Sequence, residues 1–538
     1  MWPNAPAVRL ESHYGDRVVP CYANRPRSVD QMLSRAANDH PNSIALADLE
    51  RRRTYAELND SAEAIASGLA ARGVRPGDRV ALLLDNRLEF AEAFFGIIRA
   101  GAVAVPLNIR AQGPEMSYLI AHSGAKVLIH EAHSAARLPD GPTVPLPHHR
   151  IAVGGYSVGS EPYEELRHSH HPQREPASED DTVAILYTSG TTGRPKGAML
   201  TNLSIVMSTM NYEYCWELTS DDRALMAVPV SHVTGLVAIL LTMVRVGGTT
   251  IFMRDFKAGR FLDMAAMERM TYTILVPAMY HLCLLQTGFD AVDLSQWRIG
   301  GFGGAPMPPA TIARLAAMMP WLQLVNAYGA TETTSPTTLM PVGQGTLYAT
   351  TVGAPVPTAE IVIMDEASQE VPVGTTGDVW IRGGHVVAGY WQDAAATKES
   401  FSAGFWNSGD VGMMTEAGYL VLLDRKKDLI NRGGYKVYSV EIEGVLMQHP
   451  NVAEAAIIPL PDSVLGEKIH AVVHAKNGLP TAVELQRFCA ERLSDFKVPD
   501  YFSFVDEPLP RNAAGKILKR ELSRSLAAAA PAGPGGLA

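Results

Sequence analysis

Tyr187 to Leu200 reads YTSGTTGRPKGAML, and its composition makes sense only if something other than protein fills its curve. Ahead of it, Thr182 to Tyr187 is a short run of β-branched and apolar residues with the character of a buried strand. The pattern then breaks. Ser189, Gly190, Thr191, Thr192 and Gly193 carry little side-chain bulk, and their glycines reach positive φ, so successive backbone N–H groups can turn inward around an anion. Lys196 adds a point charge and Pro195 stiffens the exit, which together favour a polyphosphate over a single carboxylate. A Walker A loop needs glycine directly before the lysine and Ser or Thr directly after it, whereas Pro195 and Gly197 stand there. On these residues alone a plain surface loop stays open, although the preceding strand and the lysine weigh against it.

The 538 residues exceed what one core can hold, so a large multi-lobed body with a smaller domain is expected. Hydrophobic residues at 47% and charged residues at 19% describe an ordinary globular protein. A net charge of −10 argues against nucleic acid as the main partner, so an anionic ligand must be met by local positive clusters. Cys21, Cys215, Cys283 and Cys489 lack metal-ligand spacing and read as reduced thiols in a cytoplasm. The first residues lack the basic-then-apolar layout of a signal peptide, and Val233 to Val244 is too short to span a bilayer, so it reads as a buried helix. No integral membrane segment is expected. The tail from Leu526 to Ala538, LAAAAPAGPGGLA, is low-complexity, expected to be disordered, and carries no peroxisomal signal.

Along the chain, Thr54 and Glu57 form a capping box for a helix that ends at Gly73. Val80–Leu84, a helix from Leu88 to Arg99, and Ala102–Val105 make a βαβ rhythm that Ala125–Ile129 continues. The His- and Pro-rich stretch from His130 to Asp180 reads as a connection between lobes. Strands at Ala224–Val228, Thr249–Phe252, Tyr272–Val276 and Gln323–Val325 then indicate a second α/β lobe. Short strands from about Gly353 indicate a small β-rich subdomain, and the elements after Asp424 a compact α+β domain. The expected fold class is therefore α/β: two α/β lobes and a β-rich subdomain over 1–424, a small α+β domain over 425–526, and a tail over 527–538.

Three further constellations carry chemistry. Gly300 to Pro306, GGFGGAP, packs four glycines into seven residues after an apparent strand, which suits close backbone approach to a flat ring, although a plain turn stays open. Asn326-Ala327-Tyr328-Gly329-Ala330-Thr331-Glu332 offers an aromatic to stack on adenine, a hydroxyl for phosphate and a carboxylate for Mg²⁺. Asp410 can take both ribose hydroxyls while Arg425 donates, with a surface ion pair as the plain alternative. His232 follows a strand and opens the apolar helix, where it lines a cavity or sits in the core.

Taken in order over about Val29 to Leu522, these motifs resemble the adenylate-forming enzymes, the superfamily of acyl-CoA ligases, adenylation domains and beetle luciferases. The resemblance implies that Thr188, Lys196, Glu332, Lys436 and Lys516 are the catalytic residues. It implies that Ser189 to Gly193, Gly304, Ala305, Asn326, Ala327, Tyr328, Gly329, Thr331, Asp410 and Arg425 hold the nucleotide, with Glu332 as the Mg²⁺ ligand. Gly433 and Gly434 would border the pantetheine tunnel of coenzyme A. The small domain would be mobile and pivot at Lys427, bringing Lys516 to the ATP site in one orientation and the Gly433–Gly434 face in the other. Asn431 and Arg432 stand before the double glycine where relatives often carry other polar or basic residues.

The implied activity is an ATP-dependent acid–CoA ligase that forms acyl-AMP and then a thioester, with ATP, Mg²⁺ and coenzyme A as cofactors. Two alternatives stay open: a free-standing adenylation enzyme that loads a carrier protein, and a non-catalytic nucleotide-binding protein. The acid pocket candidates are His232, Val233, Tyr280, Phe302, Gly303, Ala327, Ala330 and Thr334, mostly apolar or small, so a fatty or aromatic monocarboxylic acid is expected. The expected location is the cytoplasm, and a homodimer stays open.

Overall fold

A computed structural model of the chain describes residues 1–139, 146–167, 177–188, 194–476, 478–511 and 517–529, with the side chains of 309 and 527–529 outside that description. The chain divides into two compact units, one of Met1–Ile361 with Trp380–Asn407, the other of Val362–Val379 with Ser408–Ala538.

The larger unit contains two main sheets. The first orders its strands Lys196–Thr201, Thr182–Thr188, Val103–Pro106, Arg79–Leu83, Val127–Glu131, His149–Val153 and Glu161–Pro162. Every neighbouring pair is parallel except Thr182–Thr188 with Lys196–Thr201. Parallel strands need crossovers that cover both faces, which is why Val80 to Leu83 and Val127 to Ile129 are apolar at every position and wholly buried. The helices Leu88–Arg99 and Gly113–Ser123 follow Arg79–Leu83 and Val103–Pro106 as those crossovers. The stretch 130–180, expected as a connection, instead supplies two strands of this same sheet. Glu161–Pro162 is the edge strand, only two residues long and containing Pro162, and His149–Val153 beside it begins with two polar residues, so neither has the continuous apolar signature of the central strands.

The second sheet runs Ala354–Pro355, Thr338–Leu339, Gln323–Tyr328, Ile299–Gly303, Tyr272–Leu275, Arg223–Met226, Thr249–Phe252, Ile44–Ala47 and Arg52–Thr54. Its far edge is thus built by residues near the N-terminus, and Ile44–Ala47 pairs in parallel with Thr249–Phe252. The helix Tyr55–Ala71 that follows has the anticipated capping box, with Glu57 N–H donating to Thr54 Oγ1 at 3.2 Å and Thr54 N–H to Glu57 Oε2 at 2.8 Å. Val233 to Val244 is helical and buried, but not a plain α-helix: Thr234–Leu241 is a π-helix that continues as Thr242–Val246. A Cβ on Gly235 would lie 2.3 Å from the Pro229 carbonyl oxygen, so only glycine lets this helix start against the turn. The helix Asn202–Cys215 was not legible in the sequence. It is buried around nearly its whole circumference, which leaves no amphipathic stripe to read.

The smaller unit carries a sheet ordered Tyr435–Val437, Ile430–Arg432, Gly466–Ala475 and Val452–Asp462, with Tyr501–Val505 parallel to Gly466–Ala475. Successive residues of Val452–Asp462 point to opposite faces. Ala455 and Ile457 pack with Ile442, Leu446, Leu485 and Cys489 from the helices Ser439–Leu446 and Ala482–Ala490. Ala456 and Ile458 pack on the other side with Leu509 and Leu522, the latter from the helix Lys519–Ala529. Among the described residues no helix is long and apolar enough to cross a membrane.

Candidate active site

Thr188 and Lys196 stand opposite each other in the antiparallel pair, with Thr188 Oγ1 3.5 Å from the Lys196 carbonyl oxygen. The stretch between them is therefore flanked by two strands of a hairpin, not by a strand and a helix as in a Walker A loop. Ser189, Gly190, Thr191, Thr192 and Gly193 lie outside the described residues. The exit from that stretch is anchored by Tyr118 on Gly113–Ser123, whose hydroxyl donates to the Pro195 carbonyl at 3.1 Å while the Arg194 guanidinium lies 5.8 Å from its ring centre.

Gln323–Tyr328 brings the second motif to an open strand end. Leu324 and Val325 are buried, Asn326, Ala327 and Tyr328 half-buried, and Gly329 exposed. The chain then makes the single turn Thr331–Thr333, where Ala330 N–H donates to Thr333 Oγ1 at 2.9 Å. Thr334 and Ser335 both hold left-handed backbone, φ 51° and 53°, which costs energy for residues with a Cβ. The helix Asn202–Cys215 stabilises this turn: Ser208 Oγ donates to the Ser335 carbonyl at 2.7 Å, and the Tyr212 hydroxyl lies 2.7 Å from Ser335 Oγ. The Thr334 hydroxyl is buried without a hydrogen-bond partner among the described residues.

The glycine-rich stretch has two roles that the sequence did not separate. A Cβ on Gly301 would lie 2.7 Å from Ile274 and 3.1 Å from Trp216, and one on Gly300 would meet the Tyr280 hydroxyl at 3.0 Å, so these two glycines serve packing inside the protein. Gly304 is exposed and left-handed, φ 77°, with nothing nearer its Cβ position than Val276 at 3.9 Å; here the backbone conformation itself selects glycine. Ala305 beside it is half-buried.

The pocket candidates divide similarly. Val233 is buried, His232 is half-covered and its pKa is lowered by burial, so its ring is neutral near pH 7. Phe302 is 5% exposed at the end of Ile299–Gly303. Ala327 stands opposite Gly303 in the parallel register, and Ala330 is half-buried two residues after Tyr328. Tyr280 is wholly buried, donates its hydroxyl to Gly301 O at 2.8 Å and stacks on Trp297, an arrangement that spends the side chain on the core. A Cβ on Gly303 would lie 2.4 Å from the Ala327 carbonyl oxygen, so any side chain there disturbs the sheet backbone.

Two acidic and basic groups converge around a residue that sequence reasoning passed over. Tyr390, 6% exposed, donates its hydroxyl to Glu332 Oε1 at 3.0 Å, and the Lys196 ammonium lies 5.1 Å from its ring centre. Burial and then the Glu332 charge push the Tyr390 pKa well up, so the phenol stays a neutral donor. Glu332 thus presents a hard carboxylate oxygen steadied by a neutral group, a donor that fits Mg²⁺. The only signal for Tyr390 in the sequence was an aromatic after a glycine in Gly389-Tyr390-Trp391, which is too common to single out.

In the smaller unit, Arg425 Nε pairs with Asp410 at 2.8 Å, the two residues facing each other across Phe405–Met414 and Leu420–Arg425. Asp410 is buried and its N–H donates to Ser408 Oγ at 3.0 Å. Gly433 and Gly434 form the two-residue loop between Ile430–Arg432 and Tyr435–Val437, with φ 58° and 87°, the double left-handed turn that suits strand twist and selects glycine. Lys436 pairs with Glu366 at 2.7 Å on the surface of this unit. Lys427 has its pKa lowered by burial. Lys516 lies outside the described residues.

The chain matches the model of the AMP-binding enzyme family over residues 33–391 and that of the AMP-binding enzyme C-terminal domain over 441–516. A feruloyl-CoA synthase of Amycolatopsis sp is 35% identical over 494 residues, 91% of this chain and 97% of that protein. A long-chain-fatty-acid–CoA ligase of Mycobacterium tuberculosis is 33% identical over 94% of this chain and 100% of its own length. A fatty acid–[acyl-carrier-protein] ligase of Streptomyces coeruleorubidus is also 33% identical, over 91% of this chain and 95% of its own. Among solved structures, an anthranilate CoA ligase in complex with anthranoyl-AMP superposes with a TM-score of 0.85 at 25% identity, covering 93% of this chain and 98% of that one. The o-succinylbenzoate CoA synthetase of Bacillus subtilis, in complex with ATP and magnesium ion, gives 0.81 at 28% identity over 93% and 100%. With both family models matched in order and relatives aligned over nearly their whole length, this chain belongs to the AMP-binding enzyme family.

Proposed function

We propose that the protein is an ATP-dependent acid–CoA ligase acting on an aromatic or fatty monocarboxylic acid. In the first half-reaction a carboxylate oxygen bonds to the α-phosphorus of ATP, and the bond from that phosphorus to the bridging oxygen breaks, releasing pyrophosphate and leaving acyl-AMP. In the second, the sulfur of coenzyme A bonds to the acyl carbon and AMP departs. Neither step needs a protein nucleophile; both need preorganised charge and donors where phosphate charge develops.

The observation that carries this reading is the pairing of Lys196 and Glu332 on Tyr390 beside the half-buried strand end Asn326–Tyr328. In the proposal Lys196 and the hydroxyls of Thr188 and Thr331 meet phosphate oxygens, Tyr328 and the backbone at Gly304–Ala305 receive the adenine, and Asp410 with Arg425 receives the ribose. Bound Mg²⁺, held through Glu332, would supply neutralisation of the triphosphate charge. Lys516 adds a cation in the first step, and Gly433 and Gly434 border the path of the thiol in the second. The small domain is taken as residues 425–526, pivoting at Lys427. The buried, reduced cysteines accord with a cytoplasmic enzyme.

The acid class rests on the apolar and small candidates Val233, Phe302, Ala327 and Ala330 with a neutral His232, and on relatives named for ferulate, anthranilate and long-chain fatty acids. The carrier-protein ligase among the relatives keeps a second acceptor in view. Formation of AMP and pyrophosphate is measured with hydroxycinnamic, benzoic and medium- to long-chain fatty acids, with coenzyme A, with an acyl-carrier protein, and with neither. Acid-dependent pyrophosphate release and CoA-dependent AMP release are the expected result. AMP release only with the carrier protein would transfer the assignment to the second acceptor, and no acid-dependent release across the panel would overturn the ligase reading.

A further inference from the structure

The segment from Val387 to Trp391 is tied down from three directions. Trp391 N–H donates to the Gly197 carbonyl at 2.7 Å and Met199 N–H to the Gly389 carbonyl at 3.0 Å, so the segment is zipped to Lys196–Thr201 directly after the lysine. Val387 N–H donates to the carbonyl of Glu332 itself at 2.9 Å. The buried Arg17 donates to the carbonyls of Val387 and Ala388 at 2.8 and 2.6 Å. Phe401 meets the Tyr390 ring edge-on with centres 5.9 Å apart. One short segment therefore fixes a single aromatic side chain relative to both the Lys196 strand and the Glu332 turn.

That placement solves a problem of charge. A nucleotide site of this kind needs a cation and a carboxylate in close quarters, and opposite charges in a partly buried site attract strongly enough to pair and neutralise each other. We infer that Tyr390 is a positioning residue of the adenylation site, its hydroxyl aiming the Glu332 carboxylate at the divalent cation while its ring face seats the Lys196 ammonium away from that carboxylate. The inference rests on reading Glu332 as the Mg²⁺ ligand and Lys196 as a phosphate contact. A neutral phenol suits both tasks, because it donates to the carboxylate without cancelling its charge and presents an electron-rich face to the ammonium.

The roles separate by substitution. Tyr390→Phe removes the hydroxyl and keeps the ring; Tyr390→Leu removes both. Binding of Mn²⁺ to the protein with a non-hydrolysable ATP analogue is read by electron paramagnetic resonance, and metal-free binding of the analogue by calorimetry. Tyr390→Phe should weaken Mn²⁺ binding by about ten-fold, the size typical of removing a partner that orients a metal ligand. Its metal-free nucleotide affinity should stay near that of the wild type, whereas Tyr390→Leu should also lose several-fold there. In a Glu332→Gln background Tyr390→Phe should change Mn²⁺ binding no further, an outcome that mere packing would not produce. Mn²⁺ binding within about two-fold of wild type in Tyr390→Phe, or an equal loss with Glu332 already replaced, would overturn the inference. If Tyr390→Leu fails to fold, the single-oxygen change to Phe and its double-mutant cycle decide. A wild type without acid-dependent pyrophosphate release would count against the ligase reading, and the Mn²⁺ titration would still decide on Tyr390.

Discussion

His385 makes acid stability a quantitative test of the fold. The side chain is wholly buried after the Gly377–Gly383 strand, and neither ring nitrogen has a hydrogen-bond partner among the described residues. Burial lowers its pKa from 6.5 to about 4, against a lesser opposing contribution from the backbone of Thr358. The unfolded chain therefore takes up a proton near pH 6.5 that the folded protein refuses until about pH 4. Since the unfolded state binds more protons in that window, stability falls as pH drops through it and is fully present above it. The whole gap, at about 1.4 kcal/mol per pH unit, comes to about 3 kcal/mol, of which about 2 kcal/mol is lost by pH 5. His385→Met removes the titration, and whatever contact with the Thr358 backbone is lost is lost at every pH, so it cancels in a comparison between two pH values. Urea unfolding of wild type and variant at pH 7.5 and pH 5.0, followed by tryptophan fluorescence, isolates this group from all others that titrate. The variant should gain about 2 kcal/mol relative to wild type on going to pH 5. An equal difference at both pH values would refute the reasoning and mean that the ring is protonated or hydrated in the fold.

Gly304→Ala places a Cβ on left-handed backbone without a clash, since the nearest atom is 3.9 Å away. It should cost about 1 kcal/mol and raise the KM for MgATP several-fold with little change in kcat; an unaltered KM would remove this loop from the nucleotide site. The two half-reactions should also separate. Lys516→Ala should depress pyrophosphate release from acid and ATP by about 10² to 10³ while sparing thioester formation from synthetic acyl-AMP, because a preorganised cation is lost only from the first step. Lys427→Pro, which restricts the backbone at the proposed pivot, should do the reverse and accumulate acyl-AMP. Equal loss of both steps in each variant would sink the two-orientation account.

Local chemistry made much of this protein readable before any coordinates. The alternation at Arg79–Leu83, Leu88–Arg99 and Val103–Pro106 declared a parallel sheet because strands buried on both faces must be apolar throughout. The capping box at Thr54 declared itself because caps accept few residue types, whereas the left-handed turn at Gly433–Gly434 emerged only with the two strands that it joins. The stretch 326–332 stood out for the same reason, because the residue types that nucleotide chemistry asks for lie side by side there, and the structure places them at a strand end and the turn after it. What depended on distant neighbours was hidden. Asn202–Cys215 has no polar face to give it away, and the strands in 149–162 are placed by pairing, His149–Val153 with Val127–Glu131 and Glu161–Pro162 with His149–Val153, which no local pattern announces. Gly300 and Gly301 looked like ligand glycines until Trp216 and Tyr280 were seen to fill their space. Tyr390 is the sharpest case, since it lies 58 residues from Glu332 in sequence and 3.0 Å from it in space. Periodicity, caps and turns are written in a window of a few residues, whereas which side chain separates a cation from a carboxylate is set only when two sheets and a returning segment have packed together.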